Sequence, residues 1–224
     1  IQKNVIQHAD QLASPSAPVW LNVAGRAFAM DKWADFKYRG KTFAEVVQAN
    51  VKSGAYTKEL LQFFTKEDLE VLGKALDLNR DLAHSYASLF TGYKKYIGKT
   101  EMNQHMHMVN AMRFGQYESA ASRVQFSKDF YDVLSNRELS LATPFMSNLR
   151  KGGNVASCFI LAIDDDLDSI FDNAKNIAKI SKNGGGLGIY LGKLRAKGSK
   201  VNGYENAAGT GTRWGKIIND ILVA

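Results

Sequence analysis

Apolar residues recur at helical spacing through the first 140 residues, with short polar, Gly or Pro breaks between the repeats. A spacing of three and four residues places such side chains on one face of an α-helix. Thr65 stands directly before one of these segments, where its hydroxyl can accept a free backbone N–H of the first turn. The pattern predicts a helical domain over residues 1–140, with helices near 5–12, 19–36, 43–51, 66 onward, 81–90, 102–114 and 119–134.

The pattern changes after about residue 140. The segment 155–163 is an unbroken apolar run, which is typical of a strand that is buried on both faces. Three acidic residues follow it, and apolar residues then return at helical spacing over 167–178. A glycine run ends that helix, and 187–191 is extended again. The fold class is therefore predicted to be α/β, with a parallel βαβ unit that begins a second domain over residues 141–224.

The polar residues of this second segment favour a nucleotide site. Gly184, Gly185 and Gly186 permit positive φ and leave backbone N–H groups open to an anion. No Gly-Lys-Ser/Thr follows, which excludes a P-loop, and the glycines open a strand rather than a helix, which excludes the dinucleotide fingerprint. Acidic residues and a basic hairpin lie near the strand ends, where α/β sheets bind ligands. A plain glycine loop and a solvated basic loop remain alternatives.

Composition narrows the class of protein. The net charge of +7 suits polyanionic partners, but Lys and Arg are spread along the chain, so direct nucleic-acid binding is not predicted. No apolar run of about 18 residues exists, so the sequence predicts no membrane span. A single cysteine cannot form an internal disulfide, and we expect a cytoplasmic protein. His105 and His107 have the wrong spacing for one helix face, so no metal site is predicted.

Five short motifs occur in an order and spacing that resembles the large (α) subunit of class I ribonucleotide reductase. They are Thr143-Pro144-x-Met146-Ser147, Ser157-Cys158, Asp165-x-Leu167-Asp168-Ser169-Ile170, Gly184-Gly185-Gly186-x-Gly188 and Leu194-Arg195-Ala196-x-Gly198-Ser199. Looser matches lie at 77–87, 126–132 and 216–220, so the resemblance covers nearly the whole chain.

The resemblance implies an N-terminal fragment of that subunit, with the helical domain followed by the first strands and helices of a ten-stranded α/β barrel. The complete enzyme of this family reduces ribonucleoside diphosphates to 2′-deoxyribonucleotides by thiyl-radical chemistry, under allosteric control by dNTP or ATP. It has no covalently bound cofactor on this subunit. The metal and the radical reside on a small β subunit, and thioredoxin or glutaredoxin supplies electrons. The family's α subunits dimerise, and the helix over 167–180 is the expected dimer face.

The resemblance also implies roles for individual residues. Cys158 corresponds to one cysteine of the redox pair that reduces the substrate. A first set corresponds to substrate-binding positions and comprises Thr143, Ser157, Cys158, Gly185 and Gly186. A second set corresponds to positions that bind the nucleotide effector, with carboxylates toward the ribose and cations toward the triphosphate, and comprises Asp165, Asp166, Leu167, Arg195, Lys200 and Asn202.

Some features depart from the family pattern. Asp166 stands where some relatives have serine, and Asn202 stands where some have arginine. The radical cysteine and the second redox cysteine are expected beyond Ala224, so this chain alone is expected to be inactive. Two alternatives remain open: a nucleotide-binding or assembly module without catalysis, and an unrelated α/β enzyme that uses Cys158 as nucleophile. The latter usually needs a nearby His, and no His follows His107.

Overall fold

Helices fill most of the first 155 residues of the computed structural model, which describes residues 2–183, 185–209 and 211–223. The backbone contacts divide the chain into residues 1–155 and 156–224. The helices of the first unit are α1 Gln2–Leu12, α2 Val19–Asp35, α3 Phe43–Lys52, α4 Leu60–Phe63, α5 Lys66–Ala75, α6 Tyr86–Lys95, α7 Asn103–Gly115, α8 Arg123–Ser135 and α9 Thr143–Asn148, with short 3-10 helices at Leu78–Ala83 and Leu149–Lys151.

The helix boundaries follow from local capping. Thr65 caps α5 as predicted: its hydroxyl accepts the Asp68 N–H at 3.2 Å, and the Asp68 carboxylate accepts the Thr65 N–H at 2.9 Å. The continuous helix predicted over 81–90 is wrong. His84 is extended, and Ser85 accepts the Ser88 N–H and starts α6 one residue later, so the 3-10 helix and α6 are separate elements.

Helix α7 lies at the centre of the first unit and is buried along nearly its whole length. Its apolar side chains join those of α3, α4, α5 and α8 in one cluster, which includes Val47, Leu60, Leu72, Met108, Met112 and Tyr131. A helix that is buried on several sides loses the simple polar and apolar faces of a surface helix. Two polar residues near the start of α7 bond inside the unit, since Asn103 and Gln104 donate to Asp81 Oδ1 at 2.8 Å and 2.7 Å.

A buried ion pair joins the end of the first unit to its centre. Arg150 and Glu101 have side chains that are 1% and 3% exposed, and the Arg150 Nη2 atom lies 2.7 Å from Glu101 Oε1. Each of the five N–H groups of Arg150 has an acceptor, because the guanidinium also donates to Asn110 Oδ1 and to the carbonyls of Met146 and Tyr96. A buried arginine is tolerable when its donors are satisfied in this way.

The second unit contains the predicted βαβ arrangement. Strand β1 (Cys158–Ala162) pairs in parallel with β2 (Gly186–Tyr190), and helix α10 (Leu167–Lys182) connects them. Helix α11 (Gly211–Val223) follows. The two helices cover one face of the sheet, where Ile170, Ile177 and Ile218 pack against Leu161, Leu187 and Ile189. Gly184, part of the predicted glycine turn, lies outside the described residues.

The prediction that β1 is buried on both faces is wrong. Ile160 is 86% exposed and Cys158 is exposed, on the face that carries Gly186 and Gly188 in the partner strand. The helices pack on the alternate side chains only, because successive residues of a strand point to opposite faces. In the described part of the chain, the second face of β1 and β2 has no covering element that buries it.

The division between the two units falls between Val155 and Ala156. The boundary predicted from sequence lies earlier, near residue 140. The segment 141–155 belongs to the first unit because α9 and the 3-10 helix after it contact α7. Arg150, near the end of this segment, provides the strongest of these contacts.

We expect Arg150→Met to lower the free energy of unfolding by about 3–5 kcal/mol, because it leaves the Glu101 carboxylate buried without its cation. Guanidinium-induced unfolding of the chain measures this change. Lys66→Met is the matched control, since its pair with Glu70 is exposed and 3.8 Å long, and we expect no measurable change there. Equal effects of the two substitutions would contradict the importance of the buried pair.

A buried histidine makes the first unit sensitive to acid. His105 is 7% exposed, lies 5.2 Å and 5.8 Å from the ring centroids of Phe36 and Phe43, and accepts the Met102 N–H through Nδ1 at 3.3 Å. Burial lowers the pKa of His105 to about 4. The folded state therefore keeps this ring neutral at a pH where the unfolded chain binds a proton.

We expect the stability of the chain to fall as the pH decreases from about 6.5 to about 4, with His105 contributing a loss of about 3 kcal/mol across that range. His105→Phe keeps the ring packing and removes the titration, so its unfolding midpoint should vary less with pH even if it is lower at neutral pH. Denaturant unfolding at several pH values measures both slopes. An unchanged slope in the variant would contradict the assignment.

Candidate functional site

Polar residues gather where β1 and β2 end. Asp164, Asp165 and Asp166 follow β1 and lead into α10, whose N-cap is Asp166: its carboxylate accepts the Ser169 N–H at 2.7 Å. An acidic residue is favourable at a helix N-terminus, where it compensates the unpaired N–H groups. The loop after β2 brings Lys193 and Arg195 to the same edge of the sheet.

Two ion pairs connect these loops. Lys193 Nζ lies 2.6 Å from Asp164 Oδ1, and this bond raises the pKa of Lys193. Arg195 Nε lies 2.5 Å from Asp165 Oδ2, and Arg195 Nη2 donates to the Asp165 carbonyl at 3.2 Å. Both pairs are substantially exposed, so their contribution to stability is small. Their structural effect is to hold the two strand-end loops together.

A cavity of about 250 Å³ opens beside the Arg195–Asp165 pair. Four of the predicted effector residues line it: Asp165, Asp166, Leu167 and Arg195. The remaining wall is mostly apolar, with Leu194, Val201, Ala207, Ala208 and Trp214. Carboxylates and a guanidinium beside an apolar wall can hold a ligand with hydroxyls, an anionic group and a ring system.

The other two predicted effector residues, Lys200 and Asn202, are not among the described residues that line this cavity. Lys200 Nζ pairs with Glu205 Oε1 at 3.0 Å, and its carbonyl accepts from Arg195 Nη1 at 3.4 Å. Asn202 has a φ of 50° and precedes Gly203 with a φ of 88°, which forms a tight turn between Val201 and Tyr204. Asn tolerates this left-handed conformation better than most residues. The Asn202 position is thus explained by backbone geometry.

The predicted substrate residues of the second unit lie at the opposite end of the strands. Cys158 and Gly186 are the first residues of β1 and β2 and are register partners. The carboxyl end of each strand is four residues further on, and this spacing corresponds to a distance of about 13 Å. The acidic residues and the basic hairpin thus lie at the carboxyl ends of the strands, whereas Cys158 and Gly186 lie where the strands begin. Cys158 is exposed, and its Sγ lies 3.4 Å from Ser157 Oγ.

Gly185 has a packing role that the sequence did not indicate. A Cβ on Gly185 would lie 2.6 Å from Ile180 Cγ2 and 2.8 Å from the Phe159 ring, so any side chain would force the helix and strand apart. Neither Gly185 nor Gly186 has a positive φ. Their N–H groups donate to the carbonyls of Ile180, at 3.0 Å, and Ser157, at 2.7 Å. An anion at this turn would compete with those bonds.

Thr143 lies in the first unit and is exposed at the start of α9. It is the first residue of that helix. Its carbonyl accepts from the Ser147 hydroxyl at 3.0 Å. Pro144 at the second position suits a helix start, because its missing N–H would be unpaired there in any case.

Sequence reasoning missed two parts of the strand-end site. The Lys193–Asp164 pair and the cavity wall at Trp214 both depend on contacts between residues that are distant along the chain. Trp214 lies in α11 and contacts Phe171 edge-on, at 6.3 Å between ring centroids. A tryptophan near the start of a helix beside a polar loop was the available indication of a cavity wall there.

The described residues contain no group of three or more His, Cys, Asp or Glu side chains placed to bind a metal ion. None of the described helices is both long and apolar enough to cross a membrane.

Comparison with known proteins identifies the family. The all-alpha domain of ribonucleotide reductase matches residues 82–154, and the barrel domain of ribonucleotide reductase matches residues 156–224, which agrees with the division of the structure. The ribonucleoside-diphosphate reductase subunit alpha of Synechocystis sp. is 35% identical over all of this chain and 30% of its own length.

Two further relatives give the same result. The subunit alpha of Treponema pallidum is 32% identical over 98% of the chain and 27% of its own length. The ribonucleoside-diphosphate reductase 1 subunit alpha of Escherichia coli K12 is 30% identical over 92% of the chain and 28% of its own length. The chain thus spans about 30% of the length of the relatives it matches. The matches to both domains, which together cover more than half of the chain, show that it belongs to the ribonucleotide reductase large-subunit family.

Proposed function

We propose that this chain is part of a ribonucleoside-diphosphate reductase large subunit and that its strand-end cavity binds the nucleotide effector. The main support is the convergence of Asp165, Asp166, Leu167 and Arg195 on one cavity, as the family resemblance implies. The complete enzyme would reduce ribonucleoside diphosphates to 2′-deoxyribonucleotides, with a cysteine pair as reductant.

The charges of the cavity suggest how a nucleoside triphosphate lies in it. Carboxylates repel phosphate, so Asp165 and Asp166 suit the ribose hydroxyls, whereas the Arg195 guanidinium suits the phosphates. The apolar side chains of Leu194 and Trp214 provide a wall for the base. The effector would therefore lie with its ribose near the start of α10.

Effector binding at this site requires an exchange of ion pairs. Arg195 donates to the Asp165 carboxylate at 2.5 Å in the structure. A triphosphate that binds Arg195 replaces this carboxylate, which then becomes free to accept a hydrogen bond from a ribose hydroxyl. The pair is partly exposed, so the cost of separating it is small compared with that of a buried pair.

The redox role rests on Cys158. Its thiol is exposed at the start of β1, within reach of a reacting partner, and the cysteine count of the chain leaves its redox partner to another part of the protein. A small β subunit would supply the radical, and thioredoxin or glutaredoxin would reduce the cysteine pair. The exposed Leu167 and Phe171 of α10, at 64% and 60%, suit the homodimer contact.

A second candidate function is a nucleotide-binding or assembly module without catalysis. The observation that favours it is that the described residues of the second unit alone form the effector cavity. In this alternative Cys158 is never needed for turnover. An unrelated enzyme with Cys158 as nucleophile is not compatible with the family match.

We expect Arg195→Gln to weaken binding of a nucleoside triphosphate to the chain about tenfold, through loss of a charge-assisted contact to phosphate. Isothermal titration with ATP and the four dNTPs measures the affinity. Lys197→Gln is the matched control, because Lys197 is an exposed cation of the same loop that does not line the cavity.

Asp165→Asn tests whether Asp165 accepts a hydrogen bond from the ribose or acts only as the counter-ion of Arg195. If Asp165 accepts from the ribose, the variant should bind the triphosphate more weakly than wild type, because an amide oxygen is a poorer acceptor than a carboxylate. The same titration gives the affinity. Tighter binding would show that Asp165 acts only as the counter-ion of Arg195, contrary to the proposal.

In the complete reductase, assembled with a β subunit, we expect Cys158→Ser to reduce turnover with a dithiol reductant to background while leaving effector affinity unchanged. Ser157→Ala should instead raise KM for the diphosphate and leave most of kcat. Product formation is measured as deoxynucleotide by chromatography. Retained turnover in the Cys158 variant would favour the module without catalysis, and turnover by the 224-residue chain with β alone would contradict its expected inactivity.

A further inference from the structure

A second cavity, of about 430 Å³, lies entirely within the first unit. It is a cleft between α6 and α7, which make few direct contacts with each other. Ala87, Ser88 and Gly92 are the small α6 residues that leave this space, and the segment 137–141 borders it. Its apolar lining comes from Met106, Leu134, Leu139, Leu141 and Met146.

Two residues of this cleft hold a buried nitrogen without a hydrogen-bond partner among the described residues: Asn110 Nδ2 and His84 Nε2. Asn110 is fully buried and His84 is 8% exposed. Asn110 Oδ1 faces the Arg150 guanidinium at 3.5 Å, which fixes the amide so that its NH₂ is the unpaired group. His84 Nδ1 is bonded to the Ser88 hydroxyl at 3.1 Å. Buried polar groups of this kind are rarely left unsatisfied, and an acceptor in the cleft would satisfy Asn110.

Arg137, at the edge of the cleft, occupies a backbone position that favours glycine. Its φ is 66°, directly after α8, where the Glu138 N–H donates to the Val133 carbonyl at 3.0 Å and the Arg137 N–H to the Leu134 carbonyl at 3.1 Å. This is the usual helix ending in which glycine avoids the cost of a left-handed conformation. A residue other than glycine carries a backbone cost at such a position, which makes the Arg137 side chain a candidate for a functional role.

The cleft has the electrostatics of an anion site with an apolar interior. None of its described lining residues is Asp or Glu, and Arg137 is its cation, exposed and bonded to the Ala83 carbonyl at 2.9 Å. Burial lowers the pKa of His84. Burial, and to a smaller extent the charges of His84 and Arg150, lowers the pKa of His107 to about 3. Both rings are therefore neutral at physiological pH. A cationic ligand would meet no counter-charge there.

We propose that this cleft binds a small organic monoanion with a flat apolar ring. The carboxylate pairs with Arg137 at the edge, the ring lies against the methionine and leucine side chains, and an acceptor atom of the ring takes the free N–H of Asn110. The proposal concerns the helical unit and is independent of the effector cavity and of the reductase chemistry.

The test is a titration of the 224-residue chain with quinoline-6-carboxylate, followed by the side-chain amide resonances of Asn110 and the imidazole resonances of His84 and His107. We expect saturable shifts at these three residues. Two matched probes divide the contacts: quinoline-6-carboxamide lacks the charge, and 2-naphthoate lacks the ring nitrogen. Each should bind about tenfold more weakly than quinoline-6-carboxylate.

Two variants of Arg137 distinguish a loss of ligand affinity from a loss of stability. Arg137→Gln should lose about tenfold in affinity for the carboxylate and nothing for the carboxamide. Arg137→Gly should lose the same affinity while raising the unfolding midpoint, because glycine relieves the left-handed backbone. Arg26→Gln is the control, since Arg26 is exposed and also donates to a backbone carbonyl, that of Leu82 at 3.4 Å, outside the cleft.

Several outcomes would overturn the proposal. They are the absence of saturable shifts with all three probes, equal affinity of the carboxylate for wild type and Arg137→Gln, and shifts at residues away from the cleft only. A further outcome is that the 224-residue chain binds the probe and a longer product of the same gene does not. Another segment of the protein would then cover the cleft, and the proposal would be overturned.

Discussion

The Arg150–Glu101 pair is the contact on which the helical unit most depends. A guanidinium that is 1% exposed is stable only where every donor is used, and here its acceptors come from residues between Tyr96 and Met146. The Glu101 carboxylate also accepts from the Tyr56 hydroxyl at 2.7 Å and the Gly98 N–H at 2.6 Å. Burial, followed by the Glu101 charge, raises the pKa of Tyr56, so this phenol remains a donor. The segment that leads to the second unit is thereby fixed against α7 by charge-assisted bonds, and Thr143 lies on that segment.

The second unit places two groups of candidate functional residues at opposite ends of one pair of strands. The cysteine and the glycines lie where the strands begin, and the acidic turn, Arg195 and the cavity lie where they end. Five-residue strands keep these groups apart, while the ladder between β1 and β2 holds them on one rigid element. A group that binds at one end can therefore affect the other end only through the strands, through α10, or through contacts outside this unit.

Much of the fold could be predicted from sequence because periodicity and capping are local. The helices, the Thr65 cap, the Asp166 cap and the βαβ order all follow from residues within a few positions of each other. The apolar run of β1 could not show whether one or both faces are covered, since that depends on which elements pack against it. The role of Gly185 needed the positions of Phe159 and Ile180, and the Arg195–Asp165 and Lys193–Asp164 pairs join residues about thirty positions apart. The family resemblance indicated four residues of the cavity, whereas the position of Trp214 beside them needed three-dimensional contacts.

The exposed face around Ile160 has a consequence for how this polypeptide behaves in solution. Each of the two described strands has one side without a hydrogen-bonded strand neighbour, so its main-chain amides and carbonyls are available to another extended segment. Beside them lies an uncovered apolar surface that includes Ile160 and Tyr190. Another extended segment can add to such a sheet as a further strand. If that segment comes from the same polypeptide, the sheet grows into an ordered closed structure. If it comes from a neighbouring copy, the two copies associate. Correct assembly then becomes a competition between intramolecular and intermolecular strand addition, and dilution or a chaperone that masks the edge would favour the former.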